Sequence, residues 1–382
     1  MGFFTAPRFC FGPAAVEQVT AIGATRVAVL VDRALVRVPR FLRVREELAK
    51  ADVRSETVAE ITAEPTVGSV EEIAERLRAF GPDVVLAVGG GSTIDTGKGA
   101  WARYESPDLP LDSITPLTEL HLRRRARFMA VPTTVGSGSE ANGLAQFHRP
   151  GGAMLEIGSR EFEPDWAILD PNFVKSLPPA VLAETAFDAL AHAFEATASE
   201  WANPFADALA RDAIGTIFRE LPRALKHPEE LEALGALQVA AGMAGLAASN
   251  AQVGAVHAIA HAIGALRPIP HARVASVLLP YVVEFNFLSA RERYLGLQGV
   301  LGPGPLQSRG ALGSRLRQFA EQSGVPTNLV RAGIPASELA ELRGRIVELA
   351  AASPSLVGNP RMPSREELAA LVDAATAGAP LP

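Results

Sequence analysis

Cysteine is nearly absent from this 382-residue chain: Cys10 alone cannot close an internal disulfide, and no thiolate cluster is there to hold zinc. A reducing, cytoplasmic setting is therefore expected. Basic runs are equally scarce, the longest being Arg123-Arg124-Arg125, which reads as a solvated loop. With a formal charge of −6 and scattered arginines, the chain lacks the concentrated basic face that nucleic-acid phosphates require. The opening MGFFTAPRFCFGP has neither a basic leader nor a long apolar run, so it is expected to be a first strand or hairpin rather than a signal peptide. Uninterrupted membrane-length hydrophobic stretches are missing too. The nearest approach, residues 237–266, is broken by Ser249, Asn250, Gln252, His257 and His261, which are costly in lipid. Its Ala and Gly content suggests tightly packed helices instead, and no membrane partner is expected.

What is present is enough length for two cores. Up to about Asp170, short β-branched runs (27–31, 84–88, 128–131) alternate with helix-periodic stretches (40–51, 70–80), the rhythm of helices covering a parallel sheet. After Leu177-Pro178-Pro179 the chain turns Ala- and Leu-rich with helical periodicity through Val372. The expected division is an α/β domain over 1–175 and an all-helical domain over 176–382. No internal repeat is found, and the only low-complexity pieces are the turn Gly302 to Pro305 and the tail Gly378 to Pro382.

Three features of the first half suit a dinucleotide. The apolar run 84–88 meets Gly89-Gly90-Gly91-Ser92-Thr93 and then a helix containing Asp95, so backbone amides and the positive helix end are available to a pyrophosphate. Three consecutive glycines exceed what a plain strand-to-helix turn needs, although this is not the GxGxxG pattern. Ser92 or Thr93 could cap that helix or touch phosphate, and Asp95 is a further candidate contact. Asp32 ends the first strand, where a carboxylate can accept from a ribose diol and would repel a 2′-phosphate, favouring NAD over NADP; its alternative role is a turn or cap. Finally Pro132 to Glu140 brings Thr133, Thr134 and Ser137 directly after the third strand.

The second half carries ligand-type residues. Asp188 and His192 lie four apart, so on a helix both face one way, and His257 and His261 repeat the spacing, with Pro270-His271 ten residues on. A buried Asp and His are costly unless paired or coordinated. One carboxylate with several imidazoles suits Fe²⁺ or Zn²⁺ better than Mg²⁺. His121, His148 and His227 fall outside the pattern, and Glu195 and Asp207 are read as structural, capping or pairing.

With these residues placed, the chain resembles the iron-containing (group III) alcohol dehydrogenase family over nearly its whole length. Four segments carry the likeness in order: Gly89 to Lys98, Pro132 to Glu140, Asp188 to Glu195 with Asn203-Pro204, and His257 to His271 running into Leu279-Pro280-Tyr281 and Asn286. The resemblance implies a dehydroquinate synthase-like fold, with a Rossmann-like α/β domain, an all-helical domain and an active site between them. It implies that Asp188, His192, His257 and His271 hold the metal, and that His261 sits by the nicotinamide and substrate as a proton-relay group. It further implies a homodimer exchanging a hydride between NAD(H) and a small alcohol, aldehyde or ketone. Two positions depart from the pattern: Met154 stands where a ribose-contacting lysine is common, and Ala141-Asn142 follow Glu140 where a threonine is common. The rival readings are a sugar-phosphate cyclase like dehydroquinate synthase and a non-catalytic NAD-binding protein.

Overall fold

The computed structural model describes residues 4–62, 65–149, 154–302 and 308–381. The turn expected at Gly302 to Pro305 lies, beyond Gly302 itself, outside the described residues, as does Pro382 of the tail. Two compact units are present, Thr5–Ser176 and Leu177–Pro382, Phe4 grouping with the latter.

The first unit is built on a six-stranded parallel sheet. In chain order its strands are β1 (Arg8–Phe11), β2 (Arg26–Asp32), β3 (Arg54–Ile61), β4 (Val84–Gly89), β5 (Arg127–Pro132) and, after a two-stranded antiparallel hairpin of β6 (Leu144–His148) and β7 (Met154–Gly158), β8 (Trp166–Leu169). The spatial order is β1-β8-β5-β4-β2-β3. Helices α1 (Pro39–Lys50), α2 (Val67–Phe80) and α3 (Gly91–Glu105) provide the cover. Along β2 the residues alternate between two cores. Val27, Val29 and Val31 pack with Phe41, Val44 and Leu48 of α1, while Ala28 and Leu30 share the other core with Val70, Ile73 and Leu77 of α2. Burial on both faces explains the unbroken apolar reading of these strands. The strands β2, β4 and β5 fall on the expected apolar runs, and β1 lies in the opening segment expected to be a first strand or hairpin. Edge strand β3 reads RSETVAEI and is mostly exposed, so it carries no hydrophobic run, and β8 is four residues long.

The second unit is helical: α4 (Pro179–Ala198), α5 (Pro204–Lys226), α6 (Leu231–Ala251), α7 (Ala255–Leu266), α8 (His271–Asn286), α9 (Arg291–Leu295), α10 (Arg309–Gln322), α11 (Ala336–Ala351) and α12 (Arg365–Ala377). Among the described residues α6 is the one helix long and apolar enough to cross a membrane, and it is largely buried against α4 and α5. A break at Gln252 (φ +69°) separates it from α7. Arg123-Arg124-Arg125 is an exposed loop, as expected, within which Arg123 pairs with Asp165 at 2.9 Å and lies over Trp101 at 5.0 Å.

Candidate metal centre and dinucleotide cradle

In the first unit, β4 ends at Gly89 and α3 starts at Gly91 with no side chain capping it, so neither Ser92 nor Thr93 takes the capping role open to it in the sequence. Each glycine has a steric reason. A Cβ on Gly89 would collide with Thr93, one on Gly90 would lie 3.3 Å from Thr134, and one on Gly91 would lie 2.9 Å from Ser137. The glycine turn and the hydroxyl loop after β5 are thus packed against each other, bringing Gly89, Gly90, Gly91, Thr134 and Ser137 into one cradle at the start of α3. Thr133 is adjacent and buried. Asp95, on the same helix, accepts through Oδ2 from the Gln146 amide of β6 at 3.1 Å. Asp32 ends β2 as expected and caps the following turn, accepting from the Ala34 amide at 2.9 Å.

The sequence reading gave Lys98 no role. It is fully buried on α3, and its Nζ donates to the Asn142 carbonyl (2.8 Å), Asn142 Oδ1 (3.1 Å) and the Leu144 carbonyl (2.8 Å). All three ammonium hydrogens are used, and the hydroxyl loop is pinned to α3. Burial holds its pKa down at about 8, while burial pushes that of Glu140 in the same loop up to about 7.

In the second unit, helical periodicity puts Asp188, His192 and Glu195 on one face of α4. Helix α7 supplies His257 and His261, and His271 begins α8. Ligand-type atoms of Asp188, His192 and His257 all lie within 4.8 Å of one another, and the three residues are buried. His257 Nε2 is 3.8 Å and His271 Nε2 3.7 Å from Asp188 Oδ1. These spacings exceed a hydrogen bond. They approach the ~3.4 Å expected between ligand atoms tetrahedrally disposed about 2.1 Å from a cation. Asp188 Oδ1, His192 Nδ1 and His257 Nε2 are each buried without a hydrogen-bond partner, the mark of a site whose partner is an ion. The imidazole of His271 is a third exposed. The His261 ring is 4.9 Å from that of His271 and 5.9 Å from that of His257.

Burial lowers the pKa of His192 to about 4 and that of His257 well below its usual value, and His271, a third exposed, is shifted in the same direction, which favours neutral imidazoles able to ligate. Burial also raises the Asp188 carboxyl, which a cation would reverse. Glu195, read from sequence as a pairing residue, does pair, but within the site: its Oε2 lies 2.5 Å from His257 Nδ1. Asp207 pairs with Arg293 at 3.0 Å. One carboxylate with imidazoles, around atoms lacking partners, fits a borderline divalent cation.

A six-stranded parallel sheet followed by a helical unit of this kind is the dehydroquinate synthase-like fold. The family model "Iron-containing alcohol dehydrogenase" matches residues 6–171, and "Fe-containing alcohol dehydrogenase family, C-terminal" matches residues 182–376. An NADPH-dependent butanol dehydrogenase of Clostridium saccharobutylicum is 31% identical over 96% of this chain and 95% of its own. An alcohol dehydrogenase of Thermococcus barophilus is 33% identical over 83% of both. The solved iron-containing alcohol dehydrogenase of Thermococcus thioreducens, 31% identical, superposes with a TM-score of 0.90 over 98% of this chain and 100% of that one. The chain belongs to the iron-containing alcohol dehydrogenase family, and is an NAD(P)-dependent oxidoreductase acting on alcohols or aldehydes.

Proposed function

We propose that this enzyme exchanges a hydride between NAD(H) and a small alcohol, aldehyde or ketone, using Fe²⁺ or Zn²⁺ held by Asp188, His192, His257 and His271. The observation carrying this reading is the grouping of buried Asp188, His192 and His257 with ligand atoms within 4.8 Å of one another, Asp188 Oδ1 and His257 Nε2 among them 3.8 Å apart and without hydrogen-bond partners. When bound, the cation supplies Lewis-acid polarisation of the substrate oxygen and the dinucleotide supplies the hydride or takes it up. The protein's own residues do the rest. Neutral His192, His257 and His271 present bare nitrogens, and Asp188 contributes the single negative charge. His261, partly exposed beside His271, is proposed to move the proton between substrate oxygen and solvent. The uncapped start of α3, with Gly90, Gly91, Thr134 and Ser137, is proposed to hold the pyrophosphate.

The division near residue 175 then separates a cofactor unit from a metal unit. Asp32 supports NAD over NADP, since a carboxylate there opposes a 2′-phosphate. The open edge of β1, with Phe11 exposed, supports the proposed homodimer, and the lone Cys10 suits a reducing cytoplasm. Elemental analysis of fresh protein with an NADH-oxidation screen of small aldehydes tests the whole. His257→Ala is expected to lose metal and turnover together, and full metal content with full turnover in that variant would end the assignment.

A further inference from the structure

The metal ligands above are only as well placed as the backbone and side chains behind them, and the start of α7 is held by two groups from distant parts of the chain. The first is Glu195 on α4. Its Oε2 lies 2.5 Å from His257 Nδ1, and its Oε1 accepts from the Val256 amide at 2.6 Å. Both oxygens of a fully buried carboxyl are therefore spent on two consecutive residues of the first turn of α7. The second is Asn359, which follows the 3₁₀ turn Pro354–Gly358 near the far end of the chain. Its Oδ1 accepts from the Ala255 amide at 3.2 Å.

Asn359 cannot rotate its amide without loss. Its Nδ2 donates to the Arg361 carbonyl at 2.6 Å, and it exchanges a reciprocal pair of 3.0 Å hydrogen bonds with Asn286, the last residue of α8. Helix α8 is the one that begins at His271. One side chain therefore ties the start of the helix carrying His257 to the end of the helix carrying His271. Space is equally tight. A Cβ on Gly254 would lie 2.6 Å from Asn359 Oδ1 and 3.2 Å from Glu195 Oε1, and a Cβ on Gly358 would collide with the Val253 carbonyl. The first turn of α7 needs acceptors for amides that no earlier helical residue can satisfy, and these two side chains supply them.

We infer that Glu195 and Asn359 are positioning residues for the cation: the carboxyl fixes the tautomer and tilt of His257 so that Nε2, and not Nδ1, faces Asp188, and the amide fixes the turn from which His257 projects. A carboxylate behind a ligating imidazole orients it and raises its basicity, and loss of such a partner typically weakens metal binding by about 10–100-fold. The inference rests on the metal reading proposed above.

The test is Zn²⁺ and Co²⁺ affinity of the full chain by chelator competition, with the Co²⁺ visible spectrum as a report on ligand geometry. Glu195→Ala is expected to lose about 10–100-fold in affinity and to shift the Co²⁺ bands. Glu195→Gln keeps the size of the side chain but only one of the two acceptors, so it should fold like the native chain and still lose affinity, because its N–H₂ must face either His257 Nδ1, favouring the wrong tautomer, or the Val256 amide. Asn359→Ala should lose affinity with His257 and Glu195 both intact, an effect that a purely local role in the 354–359 turn would not produce. NADH binding serves as the control for intact folding. If the native chain binds Zn²⁺ while Glu195→Gln and Asn359→Ala bind it within twofold of native, the positioning roles are wrong and the metal centre stands. If the native chain binds neither cation, the metal reading falls and takes this inference with it.

Discussion

Chelating the metal should expose how poorly the helical unit satisfies itself without an ion. Asp188 Oδ1, His192 Nδ1 and His257 Nε2 are buried with no hydrogen-bond partner, and each such atom costs about 1–3 kcal/mol, more where it carries charge. A divalent cation at about a thousand times its dissociation constant stabilises the folded state by about 4 kcal/mol. For a unit of roughly 200 residues, where 1 kcal/mol moves Tm by about 2–4 °C, loading should raise the transition by about 8–16 °C. The same reasoning predicts an inversion of sign at Asp188. Asp188→Asn removes a buried negative charge whose desolvation outweighs the attraction of His271 and His261 in the metal-free chain, so the stripped variant should melt at or above the stripped native protein. Added Zn²⁺ should then leave it nearly unmoved. Thermal unfolding followed by circular dichroism, in chelator and in excess Zn²⁺, reads all four values. A stripped Asp188→Asn chain less stable than stripped native by more than 1 kcal/mol would mean that Asp188 is a structural partner and not a ligand.

Three further outcomes follow from the first unit. Asp32→Ser removes the carboxylate proposed to oppose a 2′-phosphate, so the ratio of NADPH to NADH kcat/KM should rise at least about tenfold, equivalent to 1.4 kcal/mol; an unchanged ratio would leave Asp32 as a cap alone. Gly91→Ala places a Cβ 2.9 Å from the Ser137 side chain, and NADH affinity measured by fluorescence should fall while metal binding is kept. Glu140 has its pKa raised by burial to about 7 from the ordinary 4.5, so the folded state holds its proton more tightly than the unfolded one. Its contribution is complete below about pH 4.5 and declines as pH rises through 7, by roughly 3 kcal/mol at most. Urea unfolding at pH 5 and pH 8 should show Glu140→Gln flattening that decline.

The chemistry was more legible in the sequence than the scaffold around it. Asp188 with His192, and His257 with His261, announce themselves because the helical period turns a four-residue spacing into a shared face. Strands buried on both faces, such as 84–89, show as apolar runs, whereas β3 sits at an edge with RSETVAEI and offers no such run. Lys98 was invisible as a strut since its three acceptors are oxygens of Asn142 and Leu144, two of them backbone carbonyls that leave no trace in composition. Glu195 did leave a trace. It falls seven residues after Asp188, two helical turns on the same face, but its partner His257 lies 62 residues away and only the fold brings them together.

That contrast bears on how the metal centre is recognised at all. Several other buried charged groups among the described residues are answered within the protein. The Glu105 carboxylate takes the amides of Arg125 and Ala126, Glu184 takes Arg273 at 2.7 Å, and Glu284 takes Arg317 at 2.6 Å. Elsewhere, partnerless buried atoms such as Arg26 Nε and Ser355 Oγ fall singly on residues with no ligand-type neighbours of the same kind. A shared occupant accounts for ligand atoms of Asp188, His192 and His257 within 4.8 Å of one another, since isolated defects have no reason to converge and the cost of grouping them would rise with each added polar atom. A chain that gives Lys98, Glu105, Glu184 and Glu284 partners of its own has the means to do the same for Asp188 Oδ1, and leaving that atom open is what a cation site requires.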